Sequence, residues 1–199
     1  MARKVTYLKS AVKPVDYPLA DRPEIAIAGR SNAGKSSFIN AATRSKIANV
    51  SQTPGKTRIL SFFDFGEKYR WVDMPGYGFA ARSSDEIGDW QQMIESFFTM
   101  RGTLAGVILI MDIRRDWSED EQNLQHFLSH VHVPMVVVLN KVDKVSKSEQ
   151  VKYQQKIQKL SSADHVFLTS AAKSLGVDEV EEFVFRKWIE PALEKGKKS

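Results

Sequence analysis

Short apolar runs alternate along this chain with longer segments in which apolar residues recur at helical spacing. The runs are rich in Ile, Val, Leu and Phe, as buried strands are, and the longer segments fit helices with one apolar face. The strands predicted in this way span residues 24–28, 60–65, 68–72, 106–111, 136–139 and 165–168. The predicted helices span residues 90–98, 119–131, 147–160 and 177–188, with a further helix beginning near Lys35.

This order predicts an α/β protein with an open, mostly parallel sheet and helices on both of its faces. The turn Gly66-Glu67 between two strands predicts one antiparallel hairpin. Pro191 is expected to end the last helix, because proline interrupts helical hydrogen bonding. In open sheets of this kind the ligand lies outside the carboxyl ends of the strands.

A complete phosphate-loop motif, G-x-x-x-x-G-K-[ST], directly follows the first predicted strand. Glycines at its first and sixth positions let backbone N–H groups turn toward phosphate oxygens, and the lysine reaches the β- and γ-phosphates. The hydroxyl of Ser36 is expected to bind Mg²⁺. The predicted phosphate contacts are Gly29, Arg30, Ser31, Asn32, Ala33, Gly34, Lys35, Ser36 and Ser37.

The next candidate segment is Asp73-Met74-Pro75-Gly76, which follows a predicted strand. Asp73 would stand at the carboxyl end of that strand and hold Mg²⁺, directly or through a water. Gly76 can present its N–H to the γ-phosphate. The alternative is an ordinary turn that closes the strand, but a preceding phosphate loop favours the nucleotide role.

The segment Asn140-Lys141-Val142-Asp143 predicts that the base is guanine. One carboxylate, Asp143, accepts from the two adjacent donors of guanine, and adenine has no matching donors. Asn140 is expected to tie this segment to the phosphate loop, and the stem of Lys141 to lie along the base. The alternative is a polar loop after a strand.

A third segment, Thr169-Ser170-Ala171, is expected to contact the same base. Its predicted role is a backbone N–H, from Ala171, directed at the guanine O6. By itself this is also ordinary helix-entry sequence, and only its position after a strand supports the role.

Between the phosphate loop and Asp73 lies a polar, turn-rich stretch suited to ordering around Mg²⁺ and the γ-phosphate. Thr57 is predicted as the second hydroxyl ligand of Mg²⁺, with Thr53 as the alternative, and either is also acceptable as a plain turn residue. The nucleotide contacts predicted here are Gly55, Lys56, Thr57, Arg58 and Ile59.

Length and composition set the remaining expectations. With 199 residues and 42% hydrophobic content, one domain is expected over residues 1–199, with an extension at 1–22 and a basic tail at 192–199. The chain has no cysteine and no apolar run near 20 residues, so disulfides, lipidation on cysteine and membrane spans are not expected. A cytoplasmic location is expected. His126 and His130 lie one helical turn apart, but nothing nearby completes a zinc pattern.

The net charge of +5 and the pI near 9.3 favour polyanionic partners. The basic residues noted toward the two ends are Arg3, Lys4, Lys9, Lys13, Lys195, Lys197 and Lys198. Their alternative role is simply to solubilise the protein.

The motifs together resemble one family. The phosphate loop, Thr53-Pro54-Gly55-Lys56-Thr57, residues 73–80 and residues 9–14 resemble the bacterial EngB/YihA/YsxC GTPases, which belong with the TrmE-Era-EngA-EngB-Septin-like P-loop GTPases. The resemblance implies a P-loop GTPase fold, a three-layer sandwich with six strands of which one is antiparallel. Many relatives carry Thr where this chain has Asn140, whereas Asp143 is kept.

The resemblance also implies binding of GTP or GDP with Mg²⁺ and slow hydrolysis of GTP. The implied partner is the large ribosomal subunit or its precursor, through rRNA, ribosomal proteins or both, with a role in its assembly and in cell division and septation. The protein is expected to be a monomer. The residues implied in catalysis are Lys35, Asn32, Thr57 and Gly76.

Hydrolysis is expected to be slow because Tyr77 stands where Ras-like GTPases place the glutamine that orients water. Related GTPases use an asparagine at the position of Asn32 to hold K⁺, which supplies positive charge in the transition state. Its alternative role is to cap a turn. Arg82, Arg114 and Arg115 are expected near the switch surface or as solvated loop charges.

Two further functions remain open from the sequence. One is a GTP-gated binding module for a protein partner in division with negligible turnover. The other is a nucleotide kinase, which is disfavoured because residues 140–143 specify guanine and no arginine-rich lid is evident.

Overall fold

One mixed sheet lies at the centre of the protein in a computed structural model that describes residues 5–48, 59–77 and 84–196, with side chains described for all of these except 84–91. The strands are β1 Val5–Ala11, β2 Glu24–Gly29, β3 Leu60–Phe65, β4 Tyr69–Asp73, β5 Leu104–Asp112, β6 Met135–Asn140 and β7 Val166–Leu168. They lie side by side in the order β1-β3-β4-β2-β5-β6-β7.

The directions of the strands confirm a mostly parallel α/β sheet. β4, β2, β5, β6 and β7 pair in parallel, and β3 pairs antiparallel with both β1 and β4. The predicted hairpin is therefore β3–β4. The prediction of six strands was wrong by one, because β1 comes from the segment expected as an extension. Most residues of β1 are exposed at the edge of the sheet, so no apolar run marks it in the sequence.

Helices cover both faces of the sheet, as the alternation of strands and helices predicted. Residues Ile25 and Ile27 of β2 pack with one set of helices, whereas Ala26 and Ala28 pack with the other. Apolar residues of α1 and α5 join the first cluster, and those of α2, α3 and α4 join the second. These helices are α1 Lys35–Thr43, α2 Ser84–Met100, α3 Glu119–His130, α4 Lys147–Leu160 and α5 Val177–Val184.

The prediction that Pro191 ends the last helix was wrong. α5 continues through a π-helical segment, Phe185–Ile189, into α6, Glu190–Gly196. Glu190, the residue before Pro191, has helical dihedral angles and donates its N–H to the Phe185 carbonyl oxygen, so the helix is continuous up to the proline. Trp188 of the π-helical segment covers Gly106 of β5 so closely that a Cβ there would lie 2.3 Å from the indole.

The arrangement of β2 decides where a ligand can bind. β2 lies between β4 and β5, and the loops that leave the carboxyl ends of these parallel strands meet in a crevice. The helices that the structure describes include none that is both long and apolar enough to cross a lipid bilayer.

Candidate functional site

The phosphate-loop residues connect β2 to α1 in a conformation that requires glycine twice. Gly29 has φ 150° and Gly34 has φ 102°, values that side-chain-bearing residues rarely adopt. A Cβ at Gly29 would lie 2.2 Å from the Ile110 carbonyl oxygen, and one at Gly34 would lie 2.3 Å from Asn140 Nδ2. The loop is therefore packed against β5 on one side and β6 on the other.

The amino terminus of α1 opens into this loop. No side chain caps it, and its first turn holds no acidic residue. The free N–H groups and the helix dipole therefore leave positive potential at the loop, where a phosphate group is stabilised. Ser36 and Ser37 lie in this first turn and are half-buried.

Two ionisable groups of opposite charge face each other below the loop. The Lys35 ammonium donates to the Gly29 carbonyl oxygen at 3.4 Å. Burial lowers the pKa of Lys35, and the attraction of Asp73 opposes that shift. Burial raises the pKa of Asp73 to about 6, against the attraction of Lys35.

Asp73 also has a buried carboxylate oxygen, Oδ1, that makes no hydrogen bond. A buried acceptor of this kind is costly unless a ligand satisfies it. A carboxylate oxygen is a ligand that suits a hard, oxygen-preferring cation such as Mg²⁺. The residues present therefore fit that ion.

The segment after Asp73 lies directly on the phosphate loop. The Ser31 N–H donates to the Tyr77 carbonyl oxygen at 3.0 Å. A Cβ at Gly76 would lie 2.7 Å from Ser31 Oγ and 3.0 Å from Lys35 Nζ, so a side chain there would clash. Met74 is buried in the core, which anchors the start of this segment.

The side chain of Tyr77 points away from the phosphate loop and into the core. Its hydroxyl donates to Glu121 Oε1 at 2.9 Å, and Glu121 is fully buried. The other carboxylate oxygen accepts from both the backbone N–H and the hydroxyl of Ser118. Arg30 Nη1 in turn donates to Ser118 Oγ at 3.2 Å. Burial, and then the Glu121 carboxylate, raise the pKa of Tyr77 well above its ordinary value.

Sequence reasoning did not identify Glu121 as part of the site. The Ser-x-x-Glu spacing at 118–121 is a signal of a helix amino terminus, and α3 does begin there with this capping box. The second partner of the carboxylate, Tyr77, is not visible in that local pattern.

Asn140 joins three segments of the site at the end of β6. Its Nδ2 donates to the Ala33 carbonyl oxygen at 3.1 Å, which ties β6 to the phosphate loop. Its Oδ1 accepts from Thr169 Oγ1 at 3.3 Å and from the Ala171 N–H at 3.0 Å. The Ala171 N–H, predicted to donate to a guanine O6, is thus a donor to Asn140 here.

Lys141 has a left-handed backbone, with φ 66°, and its ammonium bridges two groups. Nζ donates to the Asn32 carbonyl oxygen at 2.6 Å and lies 3.0 Å from Asp112 Oδ2. Asp112 ends β5 and pairs in register with Asn140 across the sheet. Sequence reasoning did not identify Asp112, because nothing local to it marks a partner in the next strand.

The Asp112 carboxylate is held ionised. Arg114 donates to it through Nε at 2.9 Å and Nη2 at 2.6 Å. Burial favours the protonated acid, but the hydrogen bonds from Arg114 and Lys141 outweigh it and hold the pKa of Asp112 below its usual range. The charge therefore persists opposite Lys141 at neutral pH.

Asp143 lies at the mouth of the crevice, with its side chain 9% exposed. Its Oδ1 accepts from Ser170 Oγ at 2.6 Å, and its Oδ2 lies 3.5 Å from Lys144 Nζ. The Ser170 hydrogen bond is the main cause that lowers the pKa of Asp143. An ionised carboxylate in this position is an acceptor for paired N–H donors.

The remaining predicted site residues fall into two groups, those that the structure describes and those that lie outside the described ranges. Val142 is buried, and Pro75 and Ile59 are half-buried. The following lie outside the described residues: Thr53, Gly55, Lys56, Thr57, Arg58 and Arg82.

Known proteins resemble this chain over most of its length. A family model described as "50S ribosome-binding GTPase" matches residues 24–141. A probable GTP-binding protein EngB of Bdellovibrio bacteriovorus is 51% identical over 189 residues, which cover 95% of this chain and 94% of that protein. One from Exiguobacterium sp. is 39% identical over 186 residues, with 92% and 94% covered.

Solved structures support the fold. A crystal structure of a probable GTP-binding protein EngB has a TM-score of 0.67 at 23% identity, covering 82% of this chain and 97% of that one. Aquifex aeolicus Era bound to GDP·AlF4⁻ also has a TM-score of 0.67, at 21% identity, covering 84% of this chain and 57% of that one.

Proposed function

The chain belongs to the EngB family of GTP-binding P-loop GTPases, and from this premise we propose that it is a GTP-dependent switch in assembly of the large ribosomal subunit. In this role it serves cell division and septation. It acts as a single cytoplasmic domain over residues 1–199, as a monomer, and binds the large subunit or its precursor through rRNA, ribosomal proteins or both. The extension 1–22 and the basic tail 192–199 are parts of that domain.

One observation carries the nucleotide assignment: Asn140 draws the phosphate loop, the loop after β6 and the loop after β7 to one point. With these loops fixed, Asp143 accepts from the two adjacent donors of guanine. Lys141 lies along the base, and Ser170 holds Asp143 ionised and oriented.

The phosphate end of the proposed site uses Gly29 to Ser37 as its cradle. Ser36, Asp73 and Thr57 are the proposed Mg²⁺ ligands, and Lys35 and the Gly76 N–H contact the γ-phosphate. Bound Mg²⁺ neutralises charge on the β- and γ-phosphates. The buried Asp73 Oδ1 supports this assignment, since it has no hydrogen-bond partner among the residues that the structure describes.

Hydrolysis is proposed to be slow without an added activator. The Tyr77 hydroxyl is committed to the buried Glu121 carboxylate and cannot orient a water on the γ-phosphate. K⁺ held by Asn32 is one proposed source of the missing charge. Asn32 is exposed with φ 63°, which also suits a simple turn residue. Hydrolysis that is no faster in KCl than in NaCl would remove the potassium role.

The hydrogen bond from Tyr77 to Glu121 is equally consistent with a second candidate function. In this function the protein is a GTP-gated binding module for a protein partner in cell division, with negligible turnover. Cosedimentation with purified large subunits separates the two. We expect pelleting that differs between a non-hydrolysable GTP analogue, GDP and no nucleotide. The Lys35→Ala variant, which loses its phosphate contact, is the control and should not respond to nucleotide. Equal, negligible pelleting in all three states would favour the protein partner.

A further inference from the structure

The charge of the protein is distributed very unevenly among its helices. α4 carries four lysines and one acidic residue, Glu149. By contrast, the first turn of α3 holds three acidic residues, and α5 holds four acidic residues, with no lysine or arginine in either helix. The net charge of +5 is therefore concentrated on particular surfaces, and α4 is the most basic of the described helices.

The single acidic residue of α4, Glu149, attracts Lys152, the nearest lysine of the stripe, and lies a turn or more before Lys156 and Lys159. Glu149 Oε2 accepts from the Ser146 N–H at 2.9 Å and from the Ser146 hydroxyl at 2.6 Å, within the capping box that begins the helix. Its carboxylate thus lies at the amino terminus of the helix, where the dipole favours it.

The lysines lie opposite the buried side of α4. Ile157 is buried in the core and fixes the orientation of the helix. Lys152, Lys156 and Lys159 follow one another at i, i+4 and i+7, so they form one exposed stripe about 10 Å long. The exposed Gln155 lies on the same stripe and adds an uncharged donor.

Few carboxylates compete for these ammonium groups. Lys156 pairs with the exposed Asp116, but no carboxylate among the described residues lies within 4.0 Å of Lys152 or Lys159. Exposed pairs contribute little stability, so the pair with Asp116 is easily exchanged. A stripe of lysines in which Lys156 alone has an ion-pair partner among the described residues, and an exposed one, fits a polyanion.

We propose that this stripe, Lys152, Lys156 and Lys159 with Gln155, binds the phosphate backbone of folded RNA. The inference deepens the proposed function, because it rests on a ribosomal partner and names its chemistry. RNA rather than an acidic protein is favoured for two reasons. The spacing of successive lysines, about 4.5 to 6 Å along the helix, is close to that of successive phosphates. Lysine and glutamine also suit backbone contacts without sequence readout.

The proposed contact between the α4 stripe and RNA contributes affinity for RNA whether GTP, GDP or no nucleotide is bound. Gln150 donates to the carbonyl oxygens of Val142 and Val145 at 2.9 and 3.3 Å, which fixes α4 to the loop that follows β6 and carries Asp143. Val142 and Val145 are not part of the segment after Asp73, whose Gly76 N–H is proposed to meet the γ-phosphate. Dependence on GTP therefore comes from other segments.

The test compares two triple charge reversals. The first combines Lys152→Glu, Lys156→Glu and Lys159→Glu. The second, the matched control, combines Lys46→Glu, Lys68→Glu and Lys187→Glu, which are exposed lysines in other parts of the fold. Both change the net charge equally, and glutamate is a good helix former. GTP affinity, expected to stay at the wild-type value, verifies that each variant is folded.

The probe is a fluorescein-labelled RNA duplex of mixed sequence, followed by anisotropy from low to moderate KCl. We expect the α4 variant to bind about tenfold or more weakly, and the slope of log K against log salt to fall by about 2 to 3. The control should lose much less. With large subunits, pelleting of the α4 variant should fall by the same factor in the GTP-analogue and GDP states.

Three results would overturn the proposal: no binding of the duplex by the unaltered protein, equal losses in both variants, or normal duplex binding by an α4 variant that pellets less. The last result would indicate an acidic protein surface as the occupant. Nucleotide-dependent pelleting is measured separately, so failure of the α4 contact and failure of the GTP switch are distinguishable.

Discussion

Single residues at the carboxyl ends of strands define the site. Asn140 satisfies its amide through partners in the phosphate loop and in the segment after β7. Asp143 and Asp112 are both held ionised by neighbouring donors, although they belong to different strand ends. These two carboxylates differ in what they face, since Asp143 opens to the crevice and Asp112 faces Lys141.

Replacing Asp143 tests the choice of base. In Asp143→Asn one acceptor becomes a donor and repels guanine, whereas xanthine offers an acceptor in that place. We expect GTP affinity to fall by about 10³-fold or more and preference to shift toward xanthosine triphosphate. Titration calorimetry with both nucleotides measures this. Asp178→Asn, at an exposed position on α5, is the control and should bind GTP normally. Unchanged GTP affinity in Asp143→Asn would refute the assignment.

Replacing Asp112 tests whether it positions Lys141. In Asp112→Asn the ammonium loses its ion-pair partner, so we expect GTP and GDP affinities to fall alike, by about tenfold, with kcat at saturation unchanged. Arg114→Gln leaves the pair with Lys141 in place and should bind nucleotide normally. An equal loss in Arg114→Gln would mean that the effect is general to this loop.

The stability that Asp112 contributes to the folded protein should depend on pH. The folded-state pKa of Asp112 lies below its ordinary value. Its ion pairs therefore stabilise the folded protein fully at pH values above the unfolded pKa, about 3.9. This stabilisation is lost as the pH falls toward the folded pKa. The difference in free energy of unfolding between the unaltered protein and Asp112→Asn should be greatest near neutral pH and shrink below about pH 4. Urea unfolding across pH measures it.

Among the elements, α3 is joined to the segment after β4 by one buried contact. The capping box at Ser118 uses Glu121 to begin α3, and the same carboxylate accepts from Tyr77. Because Tyr77 also pairs with Ser31 through its backbone, the amino terminus of α3 and the phosphate loop are connected through one residue.

Removing the Tyr77 hydroxyl tests this connection. Tyr77→Phe keeps the ring but leaves a fully buried Glu121 oxygen without that donor, so we expect a loss of about 1 to 3 kcal/mol in the free energy of unfolding. Intrinsic hydrolysis at saturating GTP should stay within about twofold, since the hydroxyl is bonded to the buried Glu121 carboxylate. Tyr7→Phe, at an exposed hydroxyl bonded to Ser10, should change stability by less than about 0.5 kcal/mol. A large loss of hydrolysis at unchanged stability in Tyr77→Phe would give the hydroxyl a catalytic role.

At the scale of the whole molecule, the proposed nucleotide lies across loops from both halves of the sheet. The phosphate loop follows β2, and the base-side loops follow β6 and β7. A ligand that contacts all of them binds only the folded chain and adds its binding free energy to the stability.

Guanine nucleotides should therefore stabilise the whole domain. At a concentration 100 times its Kd, GTP or GDP is expected to add about 2.7 kcal/mol, which raises Tm by about 5 to 10 °C for a chain of this length. ATP at the same concentration should give no shift, and Lys35→Ala should show a reduced shift with GTP. Differential scanning fluorimetry provides the measurement. Equal shifts with ATP and GTP would contradict guanine specificity.

The sequence by itself determined the features that depend on short spacing. The mostly parallel sheet, the β3–β4 hairpin and the position of the phosphate loop follow from apolar runs and glycines a few residues apart. Gly29 and Gly34 were identified from their places in the motif, whereas the contacts that exclude a side chain there, with Ile110 and Asn140, come from other strands. Asn140 and Asp143 were selected from one short motif.

Only the tertiary structure decided which distant groups meet. The link from Asn140 to the phosphate loop was expected from the motif, but Tyr77 bonds Glu121 across 44 positions and Lys141 pairs with Asp112 of the neighbouring strand, and neither contact was expected. β1 joins the sheet although no apolar run marks it, and the helix runs through Pro191 because a π-helical segment precedes it. Each of these depends on strand register and helix orientation, which are fixed by packing over the whole core and leave no local mark in the sequence.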